Sequence, residues 1–233
     1  MRKFAYALSI LMQVITVTFA SGQTPQEDYM REASLNAALY RGPIQKRFMF
    51  RYNGTFYAFS PKFLPGDLWY NAKYYSGVIL NLDAYEDELC IAADNGAFAI
   101  VLDKERVEKF SFDNKNFIHI TSQMKIRNLS PGYYQLLYRG KDTLLKKIRQ
   151  KYTERTEEVD EKGVFRYFEK AVSYHLIREG ISYTVSKESS FPKIYKEKKK
   201  ELRSFIKKHF LLYAAKDEGD KNFILIMNFI EGN

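Results

Sequence analysis

The chain has 233 residues, of which 45% are apolar and 28% charged, with one cysteine and a formal net charge of +9. That composition is globular rather than disordered, and the length allows one large domain or two small ones. The lone Cys90 excludes an intramolecular disulfide framework and a multi-cysteine zinc site, and no apolar stretch beyond the N-terminus approaches the roughly 18 residues of a membrane-spanning helix.

Residues 1–22 read as a secretory signal peptide. Arg2 and Lys3 open it, a greasy run from Phe4 to Phe19 follows, and Ala20, Ser21 and Gly22 supply small residues for cleavage after Ala20 or after Gly22. A short membrane anchor is the alternative, but the run is short and is diluted by Ser9, Gln13, Thr16 and Thr18. No cysteine lies there to carry a lipid. Loss of Arg2 and Lys3 with the leader lowers the charge by two and leaves a basic mature chain. Periplasm or cell envelope is the expected location. An anionic lipid, an anionic glycan or an acidic protein is the expected kind of partner, against the plainer reading that the charge only solvates a helix face.

Residues 23–233 read as a single β-rich domain. Tyr29, Ala33, Ala37 and Tyr40 recur at helical spacing, so a short N-terminal helix over Thr24–Tyr40 is predicted, ended by Gly42-Pro43. Arg47–Tyr52 and Thr55–Phe59 flank Asn53-Gly54, which predicts a hairpin with a two-residue turn. Strand-like runs follow at Asp67–Tyr70, Lys73–Leu82, Leu89–Ala93, Phe98–Leu102, Val107–Phe112, Phe117–Thr121, Tyr133–Tyr138, Thr143–Thr153, Phe165–Ile177 and Ile181–Val185. Tight turns join them and no strand–helix alternation appears, so a parallel sheet is disfavoured. Ser189-Ser190 before Pro192 predicts a helix N-terminus, and Tyr195, Leu202, Phe205, Ile206, Phe210 and Tyr213 form one helical face. Phe223, Ile226, Met227 and Ile230 predict a second helix, with a late strand as the alternative. The fold class is therefore mainly β (α+β): an antiparallel curved β-meander or partly open barrel, with C-terminal helices over about 190–233.

The residues that could carry chemistry are sparse. His119, His175 and His209 lack a second ligand at metal-binding spacing, and the strand histidines read as packed residues with local hydrogen bonds. No Gly-x-Ser-x-Gly elbow and no Gly-rich phosphate loop occurs. Cys90, in an apolar run, reads as an inert buried thiol. The cluster Asp83, Glu86, Asp87 and Glu88 could offer oxygen ligands to calcium, but it lacks the EF-hand spacing and glycine and reads as a solvated turn. Basic residues gather in Lys141–Arg155 and in Lys187–Lys208, without the aromatic spacing of an RNA-binding sheet. Trp69, Tyr70, Tyr74 and Tyr75 form the aromatic group most suited to a surface binding patch. These readings assign no catalytic residue, no cofactor, no metal and no nucleic-acid partner.

Gly66–Tyr70 with Ser76–Leu89, Tyr133–Lys141 and Lys198–Lys208 resembles a family of exported proteins of unknown function from Gram-negative bacteria. The resemblance spans most of the mature chain and implies export and an envelope location; its motifs are structural and bring no catalytic residue with them. Three functions remain in play. The first is a non-enzymatic envelope protein that binds a protein or an anionic envelope partner. The second is a carrier or sensor that holds an apolar ligand between a half-barrel sheet and the C-terminal helices, a comparison of fold alone. The third is a hydrolase acting on envelope glycan or peptide.

Overall fold

Period-two alternation and left-handed turn residues set the strands. The computed structural model describes residues 39–46, 48–93, 96–157, 163–210 and 219–232. Residues 1–22, expected as a leader, lie outside the described residues, as does the expected N-terminal helix apart from its last two positions. The strands are β1 (Leu64–Tyr70), β2 (Lys73–Asp83), β3 (Glu88–Ala93), β4 (Phe98–Val101), β5 (Val107–Phe112), β6 (Lys115–Ile120), β7 (Gly132–Arg139), β8 (Thr143–Glu157), β9 (Gly163–Arg178) and β10 (Ile181–Val185). Asn71-Ala72, Asp113-Asn114 and Glu179-Gly180 turn the chain with both central residues at positive φ, as two-residue hairpins matched to strand twist require.

All ten strands form one antiparallel sheet in the order β10-β9-β8-β7-β6-β5-β1-β2-β3-β4. The meander is interrupted once: after β4 the chain returns through Lys104–Arg106 and lays β5 against the free side of β1. β4 and β10 end the sheet, which does not close into a barrel. Both ends are covered by short bridges, as exposed strand edges usually are. Val101 N–H donates to Pro43 O and Gln45 N–H to Ala99 O along β4, while Ser182 N–H donates to Arg127 O beside β10.

The sheet curls because β8 outruns its neighbour. Its pairing with β7 stops at Gln135↔Lys146, whereas its pairing with β9 continues to Glu157↔Gly163. On the edge so freed, Gln150 N–H donates to Ala84 O at 3.0 Å, which brings the β2–β3 turn across to β8. Lys147 fastens that turn: its Nζ lies 2.5 Å from Asp87 Oδ1 and 2.9 Å from Tyr133 O, and Lys104 Nζ reaches Asp87 Oδ2 at 2.5 Å. Gly132 sits beside this cluster at φ 141°, and a Cβ there would come within 2.3 Å of Asp87 Oδ2. The turn expected between the two strands forms, with Tyr85 and Glu86 exposed to solvent, but Asp83 is buried and Asp87 is clamped by Lys104 and Lys147.

The hairpin expected over Arg47–Phe59 does not form. Its described part is irregular and bonds to distant strands: Asn53 N–H donates to Arg166 O, Asn53 O accepts from Phe168 N–H, and Ala58 N–H donates to Leu82 O. The local Asn-Gly signal loses because Phe48, Tyr52 and Phe56 pack against Phe168 of β9, at ring separations of 5.0, 5.1 and 5.8 Å. Burying four rings together outweighs one two-residue turn.

The main core holds Leu68, Leu80, Leu82, Leu89, Ile91, Phe110, Phe117, Tyr133 and Ile148. Phe110 and Phe117 stack at 4.8 Å across the β5–β6 pair. A second core lies beneath the C-terminal helices α1 (Phe191–Ile194), α2 (Lys199–Phe210) and α3 (Gly219–Glu231). Phe191, Leu202, Phe223, Ile226 and Met227 pack there on Leu144, Leu176 and Val185. The buried stripe Phe223, Ile226, Met227, Ile230 confirms the last segment as helix rather than strand. Among the described residues no helix is long and apolar enough to cross a membrane.

The helix expected to start at Ser189-Ser190 before Pro192 and run on through Tyr195 is interrupted at Tyr195. Tyr195 leaves helical geometry at ψ 73°, is 2% exposed, and donates from Oη to Asp142 Oδ2 at 2.6 Å. Ser190 precedes Pro192 as expected but makes no side-chain cap. Tyr195→Phe should cost about 1–3 kcal/mol in urea denaturation, because the buried Asp142 carboxylate loses its donor. An unchanged midpoint would mean that this bond does not hold the helices down.

Candidate functional site

The aromatic group expected to form a patch is divided by strand alternation. Trp69 and Tyr74 face each other across β1–β2 with ring centroids 4.7 Å apart, and Lys109 Nζ lies 4.1 Å from the Trp69 ring. Tyr70 and Tyr75 point to the opposite side and are buried in the main core, 5% and 9% exposed. Neighbouring residues on a strand cannot share a face, so four aromatics in two adjacent pairs give at most half a patch.

The histidines do not assemble a catalytic set. His119 Nδ1 is 3.0 Å from Val107 O, and burial lowers its pKa. His175 sits between Ser173 Oγ, at 2.9 Å from Nε2, and Ser182 Oγ, at 3.5 Å from Nδ1. A serine rather than a carboxylate therefore faces the second ring nitrogen, and nothing there would steady an imidazolium. Burial, Lys147 and Arg149 all lower the His175 pKa. His209, on the last turn of α2, packs on Phe205 at 4.4 Å. Cys90 is fully buried, and that burial raises its thiol pKa and suppresses the reactive thiolate. Among the described residues no group of three or more His, Cys, Asp or Glu is placed to hold a metal ion.

The molecule's candidate binding site is a cavity of about 630 Å³ between β2–β4 and the irregular chain of residues 48–63, with Gln45 at its border. Its floor is small because Ala92 and Ala99 form a cross-strand pair. Phe48, Tyr52, Phe56, Tyr57, Phe63, Phe98 and Ile79 line the walls. The rings brace one another: Phe56 and Tyr57 are 4.3 Å apart, Tyr57 and Phe63 5.4 Å, and Phe48 and Phe56 5.3 Å. Asn81 Nδ2 ties down the covering chain by donating to Ser60 O and Lys62 O at 2.9 and 3.1 Å.

One polar chain borders the cavity. Tyr57 Oη donates to Gln45 Oε1 at 2.7 Å, and Gln45 Nε2 donates to Asp83 Oδ2 at 2.9 Å. Asp83 Oδ1 accepts from the N–H groups of Tyr85 and Glu86, both at 3.0 Å. Burial raises the pKa of Asp83, while these hydrogen bonds pull the other way. Burial, with the negative charge of Asp83 nearby, also raises that of Tyr57, so its hydroxyl stays protonated. The chain serves to orient the ring of Tyr57. A second hollow of about 410 Å³ shares Gln45 and Phe48 with the cavity and is lined by Asp83, Glu86, Glu88 and Lys46. Glu88 has a raised pKa there, first from burial and then from Asp83 and Glu86.

The sequence reading missed this cavity because it took residues 47–59 as a hairpin. The available signal was the density of Phe and Tyr between 48 and 63 together with alanines on the facing strands. No family model, no curated protein and no solved structure matches the chain. The fold and site together define a class: an open, curled antiparallel sheet with helices at its C-terminal end and an aromatic cavity on its flank.

Proposed function

We propose that the protein is a non-enzymatic binding protein of the cell envelope that takes an apolar ligand into the aromatic cavity. The observation that carries this reading is the cavity itself. Its volume falls within the roughly 300–1,000 Å³ of small-molecule sites, and the Tyr57 hydroxyl and Gln45 amide in its lining are already hydrogen-bonded, to each other and on to Asp83. Such a site rewards burial of apolar surface and offers no free nucleophile or base, which disfavours the hydrolase reading. The sheet–helix interface, the earlier expectation for a ligand cavity, is filled by Phe191, Leu202, Ile226 and Met227, all fully buried. The envelope location rests on the leader-like residues 1–22 and on the sequence resemblance.

The test is fluorescence titration with N-phenylnaphthylamine, alongside mass spectrometry of small molecules that co-purify with the protein. Ala99→Phe places a ring on the cavity floor and should weaken the probe by about tenfold or more while leaving the melting temperature close to wild type. Equal probe affinity in the two proteins would refute the cavity as the ligand site.

A further inference from the structure

We propose that the groove between α1 and α2 docks an acidic polypeptide segment of a partner protein in extended conformation. The groove is separate from the aromatic cavity and does not depend on what that cavity holds. It encloses about 770 Å³ and is lined by Lys193, Lys196, Lys199, Arg203 and Lys207, with Pro192 and Ile206 as its apolar surface. Among the described residues no carboxylate lines it. All five cations are exposed, and among the described residues none of them is in an ion pair.

That contrasts with cations elsewhere in the fold. Lys104 and Lys147 are paired with Asp87, Lys146 with Asp220, Arg155 with Glu169, and Arg166 with Glu154. The acid nearest in sequence, Glu197, is drawn away to Arg178 at 2.7 Å. Five like charges along one groove repel each other, and an anionic occupant relieves that repulsion.

The geometry selects among anions. Lys199, Arg203 and Lys207 recur every four residues on α2, so their origins are about 6 Å apart along the axis. An extended peptide presents side chains on one face every two residues, about 6.6–6.8 Å apart. Carboxylates on alternate residues therefore meet successive cations in register. A line of charges fits a line of charges, whereas a single phosphate would engage one or two members. A bilayer surface is flat and cannot fill a concave groove, and the methylenes of an acidic chain can lie on Pro192 and Ile206.

The test uses the full chain and a fluorescent peptide of about ten residues alternating Glu and Thr, which keeps every second carboxylate on one face. A peptide of identical composition with its glutamates in one block is the control for spacing. Polyphosphate and phosphatidylglycerol vesicles are the competing occupants. The alternating peptide should bind at least about fivefold more tightly than the block peptide, and added salt should weaken it. The triple reversal Lys199→Glu, Arg203→Glu, Lys207→Glu should weaken it by about 100-fold or more. The charge-matched reversal Lys62→Glu, Lys73→Glu, Lys125→Glu should leave it within about twofold. Circular dichroism and thermal melting establish that each variant is folded. Equal binding of the two peptides, equal loss in the two triple variants, absence of peptide binding, or tighter capture of polyphosphate or vesicles would each overturn the proposal.

Discussion

Asp87→Asn is expected to lower the unfolding free energy by about 3–5 kcal/mol at neutral pH, read by urea denaturation, because it leaves the Lys147 ammonium buried without its counter-charge. The Lys147 side chain is 3% exposed and has Asp87 Oδ1 as its ionic partner at 2.5 Å. Asparagine is the right replacement because residue 87 sits at φ 61°, a left-handed conformation that asparagine tolerates. Burial pushes Lys147 down to about 8, against the upward pull of Asp87. Its folded pKa thus lies below its value of about 10.4 in the unfolded chain. Between about 8 and 10.4 the unfolded chain holds a proton that the folded one has released, so stability contributed by this group rises with pH in that window. In the variant the folded pKa falls further and the window opens earlier. The penalty of the substitution is therefore greatest at pH values below the variant's lowered pKa, shrinks as pH rises towards about 8, and is level above it, where the lysine has lost its proton in both folded proteins. A penalty constant across that range would show that the ion pair is not what holds the β2–β3 turn.

Phe168→Ala should cost about 3–5 kcal/mol and also lower the affinity of the aromatic cavity for apolar probes. Phe168 is 6% exposed on β9 and touches the rings of Phe48, Tyr52, Phe56, Tyr85 and Tyr152. It lies behind the cavity rather than within its lining, so its loss removes no ligand contact. What it removes is the backing that holds Phe48, Tyr52 and Phe56 in place, and a ligand would then have to order those rings on binding. Probe titration and urea denaturation on the same variant separate the two effects. Unaltered affinity in a destabilised protein would mean that the wall is organised by the backbone bonds of Asn53 instead.

The local half of this structure was legible in the residues. β5 and β10 occupy Val107–Phe112 and Ile181–Val185, the spans expected of them, and Glu179-Gly180 turns the chain between β9 and β10. The buried stripe of α3 is the one its spacing implied. The fate of Cys90 was equally plain, because an apolar run on a strand buries a small thiol whatever its neighbours are. Each of these outcomes depends on residues within a few positions of one another, where propensity and periodicity act.

What tertiary structure decided are the contacts between residues far apart in the chain. Asp87 and Lys147 are 60 positions apart, and nothing in an acidic turn indicates that it will be drawn inward by a lysine on β8. Asn53 pairs with β9 across more than a hundred residues, which turns a persuasive hairpin into the irregular wall of a cavity. Tyr195 breaks a helix that its spacing favours because its hydroxyl finds Asp142, 53 positions away in the β7–β8 turn. Even the basic run at 187–208 became a groove only because the break at Tyr195 divides it between α1 and α2. Short-range preferences are worth tenths of a kcal/mol per residue, whereas burying an aromatic ring or stranding a buried charge is worth several, so wherever the two disagreed the distant contact prevailed.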